Sequence, residues 1–266
     1  MFVFSLFLFL SLVAACLLNL LAALPLWAAL LCGLGVFVLL HVLWMLLVLL
    51  SVRGVSMDQP IRKQNRFCRV CVGPFSDLLL FYSRVSPVIT GREKLPTDGR
   101  FLFVSNHRSA SDPLTVMGRL SDYNICFISK PSNLRIPIVG RGAYSIGFLP
   151  IDRENSRNAL RTILTAADYL KNNLCSMAIY PEGTRSRTGE LLPFHAGSLK
   201  IAQRAQVPIV VAAVYQGEKF SPLAFRKVFL DILDVIPAET VCSLRTDELS
   251  GQIRDMIRAD LDRVKG

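Results

Sequence analysis

The sequence predicts an α/β domain with a mixed, mostly parallel sheet flanked by helices, preceded by an N-terminal membrane helical hairpin. Three observations carry that expectation. Residues Met1 to Val52 hold no Lys, Arg, Asp or Glu. Beyond them, short apolar β-branched runs alternate with amphipathic helical stretches, the pattern of strand-helix-strand units. Some 180 residues of this kind can bury a core without disulfides or metals.

The charge-free stretch is broken only at Pro25, where a helix cannot continue. Each half, at 1.5 Å per residue, is long enough to cross a hydrocarbon core of about 30 Å. A cleaved signal peptide fits poorly: the first residues, Met1-Phe2-Val3-Phe4-Ser5, carry no basic region and the apolar run is too long. Two spanning helices and a hairpin dipped into one leaflet both remain open. Either way both ends emerge on one side, and Arg53, Arg62, Lys63, Arg66 and Arg69 mark it as cytoplasmic.

Residues 53–86 follow as a basic, partly amphipathic connector, expected to break at Gly73-Pro74 and to lie along the bilayer surface. Residues 87–266 form the α/β domain. Strands are expected over Val88 to Thr90, Phe101 to Ser105, Asn124 to Ser129, Gly147 to Ile151, Ser176 to Tyr180, Pro208 to Tyr215 and Lys227 to Val235. Helices fit Pro113 to Leu120, Ser156 to Asn172, Gly197 to Gln206 and Thr246 to Val264. The last is amphipathic through Leu249, Ile253, Met256, Ile257 and Leu261.

The chain has 30 Lys and Arg against 20 Asp and Glu, a net charge of +10, all beyond residue 52. Basic charge beside a membrane anchor attracts anionic headgroups, so membrane lipids are the expected partner. Nucleic acid is not, because no nucleic-acid-binding motif is present. Of the seven cysteines only Cys68 and Cys71 have ligand spacing, and one such pair is insufficient for zinc. No metal or cofactor is expected.

The chemistry is concentrated in Ser105-Asn106-His107-Arg108-Ser109-Ala110-Ser111-Asp112, directly after the Phe101 to Val104 run. A neutral imidazole takes a proton from an alcohol, and a nearby carboxylate fixes its tautomer and stabilises the imidazolium. His107 would be the base and Asp112 its orienting group. An alternative is that Ser111 or Asp112 only caps a helix starting near Pro113. Nothing nearby resembles an enzyme nucleophile in a strained elbow, so direct transfer to a substrate alcohol is favoured over a covalent intermediate.

A second block, Tyr180-Pro181-Glu182-Gly183-Thr184-Arg185-Ser186, again follows an apolar run. Between the two lie Lys130-Pro131 and Gly147-Phe148-Leu149-Pro150-Ile151-Asp152-Arg153, and Val207-Pro208-Ile209-Val210-Val211 comes after them. In order and spacing these blocks resemble the glycerolipid acyltransferase family, specifically the 1-acyl-glycerol-3-phosphate acyltransferases, over about residues 87 to 235. The resemblance implies that His107 and Asp112 are the catalytic pair. It also implies that Arg153 and the Glu182-Gly183-Thr184-Arg185 segment hold the acceptor's phosphate.

Two departures from the family pattern stand out: Phe194-His195-Ala196-Gly197 where the family usually has Phe-Lys-x-Gly, and an aromatic farther than usual from Arg153. Physically, a guanidinium forks onto two phosphate oxygens, which suits Arg153 and Arg185 to a phosphomonoester. A bare glycine at Gly183 admits a close ligand. Glu182 would repel a phosphate, so its expected task is to hold Arg185 or a neighbouring loop. Taken alone, the alternating signs of Asp152-Arg153-Glu154 also fit a solvated face.

His107 and Glu182 both follow strands, so a parallel sheet would gather them at one edge, where α/β folds bind ligands. The resemblance then implies acyl transfer from a thioester, acyl-CoA or acyl carrier protein, to the sn-2 hydroxyl of a lysophosphatidic acid, giving phosphatidic acid. Lys130, or a backbone N–H near it, is a candidate oxyanion or donor contact. Rival readings are the same chemistry on glycerol 3-phosphate or another lysolipid, a non-catalytic membrane lipid-binding protein, and a thioesterase that uses water as acceptor.

Overall fold

The computed structural model describes residues 2–217 and 224–265. The chain divides into two compact units, Met1–Val55 and Ser56–Gly266.

The first unit is a hairpin of α1 (Phe2–Leu21) and α2 (Leu26–Val52), with Pro25 capping the second helix. At 1.5 Å per residue their 20 and 27 residues span about 30 and about 40 Å. Both are long and apolar enough to cross a membrane, with windows of mean hydropathy 2.4 and 2.6. They touch closely at Gly33, where an added Cβ would come within 2.9 Å of the Ala15 Cβ and the Ser11 carbonyl oxygen. Small residues set that approach in the absence of a hydrophobic drive between helices in lipid.

The second unit opens with α3 (Arg66–Tyr82), started by the Asn65 side chain accepting from the Cys68 amide. This helix runs unbroken through Gly73-Pro74, unlike the expected break. A proline inside a helix costs about 3 kcal/mol, and here packing outweighs it. Gly73 lies against Ser121, 3.2 Å from an added Cβ to the Ser121 Cβ, and Cys68, Ser76 and Leu80 are buried with it.

The seven strands are β1 (Val85–Thr90), β2 (Leu102–Ser105), β3 (Ile125–Ser129), β4 (Leu149–Pro150), β5 (Ser176–Ile179), β6 (Ile209–Gln216) and β7 (Arg226–Ile236). They form one sheet in the order β1-β7-β6-β2-β5-β3-β4. Among the described residues only the β6–β7 pair is antiparallel; the other five pairs are parallel. The central strands are buried on both faces, which is why β2 reads as an uninterrupted apolar run.

Between strands lie α4 (Ser111–Arg119), α5 (Pro131–Leu134), α6 (Val139–Ile146), α7 (Ser156–Lys171) and α8 (Lys200–Ala205), and α9 (Ala238–Ser243) and α10 (Thr246–Lys265) follow β7. α3 packs with α4 and α6, α7 with α8, and α10 covers β6 and β7. α10 buries Leu249, Ile253, Ile257 and Leu261, one residue per turn, each contributing about 1.5–3 kcal/mol. The short α5, α6 and α9 were not anticipated, because four to eight residues are too few to show a helical period.

The topology sets the site. β2, β5, β3 and β6 all point their carboxyl ends the same way, while β1 and β7 begin at that end. Loops leaving β2 and β5, neighbours in the sheet, therefore emerge side by side.

Candidate active site

The site is built where β2 runs out. Asn106, one residue past the strand, is 1% exposed, and its side chain imitates a strand pairing. It accepts from the Val214 amide at 2.7 Å and donates to the Val214 carbonyl at 2.8 Å. That double bond extends the β2–β6 ladder and fixes the direction in which the chain leaves. Asn106 was not singled out from sequence, where an asparagine beside a histidine carries no distinguishing signal.

His107 follows. Its Nδ1 lies 2.9 Å from Asp112 Oδ2. With Nδ1 donating its proton to the carboxylate, Nε2 presents a lone pair to the ligand. Asp112 is in the first turn of α4 and fully buried. The same Oδ2 accepts from the Arg108 amide at 2.7 Å and the Ser109 amide at 2.8 Å, while Oδ1 accepts from Ser109 Oγ at 2.8 Å. The capping alternative is not realised, since the N-cap of α4 is Ala110 and no side chain caps it; Asp112 instead ties down the His107–Ser109 turn and orients the imidazole with one carboxylate.

The imidazole is also clamped by its face. Tyr180, at the end of β5, stacks on it with centroids 4.1 Å apart and planes 6° apart, and Phe127 of β3 stacks on Tyr180 at 5.5 Å. A ring held at its edge and its face has little freedom to turn.

Glu182 joins the two blocks directly. It is buried, with Oε1 accepting from the His107 amide at 2.6 Å and Oε2 from the Leu192 amide at 3.0 Å. The Ser186 amide in turn donates to the His107 carbonyl at 2.9 Å. Burial pushes the Glu182 carboxyl above its ordinary pKa, against the pull of these two amides and of nearby His107 and Arg108. Of the two tasks expected of Glu182, holding Arg185 or holding a neighbouring loop, the structure realises the second.

Gly183 adopts φ +71°, a left-handed conformation that glycine takes without strain. A Cβ added there would lie 3.2 Å from His195 Nε2 and 3.5 Å from Arg153 Cζ. Arg153, Gly183 and His195 therefore meet, although they come from three separate stretches of sequence. Arg153 sits after β4, in a turn closed by Asp152 Oδ1 accepting from the Glu154 amide and by Asn155 capping α7. Partial desolvation lowers its pKa, yet a guanidinium keeps its charge near neutrality.

His195 is held by its backbone, whose amide donates to the Pro181 carbonyl at 2.9 Å. It was noticed from sequence only as a departure from the family pattern. Thr184 and Arg185 continue the loop and are exposed. Arg108 folds back over Gly189, donating from Nη1 to its carbonyl at 2.8 Å, which closes the loop from the other side.

Lys130 is exposed at the head of α5, directly after β3.

A charge-paired imidazole with a free Nε2 beside a basic loop suits proton transfer from an alcohol near an anionic group. The acyltransferase family model matches residues 86–215. The Caenorhabditis elegans protein acl-2, provisionally named a 1-acyl-sn-glycerol-3-phosphate acyltransferase, is 31% identical over 189 residues, covering 69% of this chain and 67% of that one. The Escherichia coli 1-acyl-sn-glycerol-3-phosphate acyltransferase is 31% identical over 178 residues, covering 63% and 72%. The crystal structure of the lysophosphatidic acid acyltransferase of Thermotoga maritima shares the fold, with a TM-score of 0.63 at 24% identity over 84% of this chain and 89% of that one. On its 31% identity to these Caenorhabditis elegans and Escherichia coli relatives, the chain belongs to the 1-acyl-sn-glycerol-3-phosphate acyltransferase family.

Proposed function

We propose that the protein moves a fatty acyl group from a thioester donor, acyl-CoA or acyl carrier protein, to the sn-2 hydroxyl of 1-acyl-glycerol 3-phosphate. His107 Nε2 takes the hydroxyl proton as the oxygen attacks the thioester carbonyl. The tetrahedral intermediate collapses, the C–S bond breaks, and the departing sulfur takes the proton back from the imidazolium. The products are phosphatidic acid and the free thiol, and no cofactor enters the balance. Asp112 holds the tautomer and stabilises the transient imidazolium. Arg153 and Arg185 grip the acceptor phosphate, with Gly183 and Thr184 shaping the loop around it. The apolar hairpin keeps the enzyme on the membrane, with the α/β domain on the cytoplasmic side. Lys130, or a backbone N–H near it, is the proposed contact to the oxyanion or the donor.

The observation that carries the reading is the His107–Asp112 bond lying on a loop that Glu182 ties to the Gly183, Arg153 and His195 cluster. The relatives' names support the choice of acceptor. The decisive assay is thiol release with and without lysophosphatidic acid. Release that depends on the lysolipid is expected; equal release without it would make the protein a thioesterase, and none in either case would leave a lipid-binding protein.

Two substitutions test the assigned roles. Asp112→Asn keeps the shape but turns a donor or a weaker acceptor towards Nδ1, so kcat should fall by about 10²–10⁴-fold, as loss of an orienting carboxylate does elsewhere. Arg185→Ala removes a charge-assisted contact and should raise the acceptor KM about tenfold to a hundredfold, with the donor KM unchanged. A change in kcat alone would show that Arg185 does not hold the acceptor.

A further inference from the structure

Three aromatic rings stand in a column across three strands of the sheet, and the last of them is the imidazole of His107. β3 and β5 run parallel with Phe127 beside Ala178, and strand alternation puts Tyr180, two residues on, over the same face as Phe127. β5 and β2 run parallel with Val104 beside Ile179, so Tyr180 comes level with the end of β2, two residues before His107. The Phe127 ring lies 5.5 Å from that of Tyr180 at 26°, and the Tyr180 ring lies 4.1 Å from the imidazole at 6°.

That stack changes in strength as a proton moves. Against a neutral imidazole it yields dispersion alone. Once Nε2 has taken a proton, the ring is a planar cation lying on the negative face of a phenol, inside the reach of about 6 Å at which a ring attracts a cation. The side chain of His107 is only 17% exposed, so solvent screens the attraction little. An interaction stronger in the transition state than in the ground state is one that accelerates the step.

The hydroxyl of Tyr180 takes no part in this. It is buried and has no hydrogen-bond partner among the described residues. Burial first, and the Asp112 charge second, push its pKa well above the ordinary value. The phenol therefore stays neutral and offers His107 the face of its ring. The charged neighbours act elsewhere: Asp112 meets the imidazole at Nδ1, Glu182 takes the His107 amide, and Arg108 donates to the Gly189 carbonyl.

We propose that the aromatic face of Tyr180, backed by Phe127, stabilises the His107 imidazolium during turnover. Tyr180 is thus a positioning residue that acts through the base. No bond forms or breaks on it; the hydroxyl proton of the acceptor still goes to Nε2 and on to the departing sulfur. The proposal rests on the reading of His107 as the general base.

The test keeps the shape of the ring and drains charge from its face. In the full chain, Tyr180→Phe serves as the reference, and phenylalanines carrying one, two and three ring fluorines then replace it at the same position. Fluorine withdraws electron density from the face and changes the ring's size little. With thiol release at saturating lysophosphatidic acid as the readout, kcat should fall with each fluorine, by about threefold to tenfold over the series. The acidic limb of the kcat/KM profile, where the base is protonated and idle, should move to lower pH in the same order, because a poorer face holds the imidazolium less well. Tyr180→Leu, with apolar bulk but no ring, should lose about tenfold or more. A kcat and an acidic limb that stay level across the fluorinated rings would make Tyr180 a packing residue and overturn the proposal.

Failure of the proposed function shows differently. Thiol release that is equal without lysophosphatidic acid would remove the acceptor, and the fluorine series measured on that release would still decide the stack. If the unsubstituted enzyme releases no thiol, magnetic-resonance titration of the His107 ring in lipid nanodiscs decides it. Deprotonation that moves to lower pH with each fluorine upholds the contact with the imidazolium, and a titration that does not move overturns it.

Discussion

Replacing His107 with alanine should cut kcat by about 10²–10⁴-fold or more, the share of rate that a positioned general base supplies, while the protein stays folded. The second half of that expectation comes from the geometry of Asp112. Truncating His107 removes one of four donors to that buried carboxylate; the Arg108 and Ser109 amides and the Ser109 hydroxyl remain. No buried charge is orphaned, and the lost stack on Tyr180 is a contact of about 1 kcal/mol. The checks are thiol release at saturating lysophosphatidic acid together with a thermal melt. Turnover near that of the unsubstituted enzyme would remove His107 from the mechanism, and a collapsed melt would make the loss of activity a folding effect.

Glu182→Ala should show the opposite division, with stability and activity lost together. Both carboxylate oxygens accept backbone amides, from His107 and from Leu192. Deleting them leaves two donors without partners in a buried place, at about 1–3 kcal/mol each. It also frees the backbone of the histidine that must be positioned within a fraction of an ångström. Glutamine is no rescue, because its NH₂ must face one of two N–H donors, whereas a carboxylate accepts from both. Activity should fall at least a hundredfold in Glu182→Ala, with the amides of His107 and Leu192 exchanging faster with solvent. Unchanged exchange at both positions would mean that Glu182 does not hold the loop.

The contrast separates two kinds of residue that the sequence presents alike. His107, Asp112, Glu182 and Arg153 all appear as charged or titratable residues after apolar runs, and their place at strand ends is legible because a short β-branched run fixes where a strand stops. All seven strands were readable in this way, as was the helix built on Leu249, Ile253 and Ile257, whose spacing repeats every turn. Helix α3 was misread at Gly73-Pro74, since a local rule about proline cannot see Ser121 waiting to fill the groove beside Gly73. Glu182 was understood only in part, because its partners are two backbone amides, and amides leave no mark in a sequence.

By itself the sequence determined the charge-free hairpin, the alternation of strand and helix, and the residue types able to move a proton and grip a phosphate. These depend on composition and on periods of two and 3.6 residues, which act between near neighbours in the chain. Only the tertiary structure decided who meets whom. It set Glu182 under His107 across 75 residues, stacked Tyr180 on the imidazole, and gathered Arg153 and His195 over Gly183. Those pairings follow from the strand order β6-β2-β5-β3 and from burial, quantities settled by the packing of the whole domain at once.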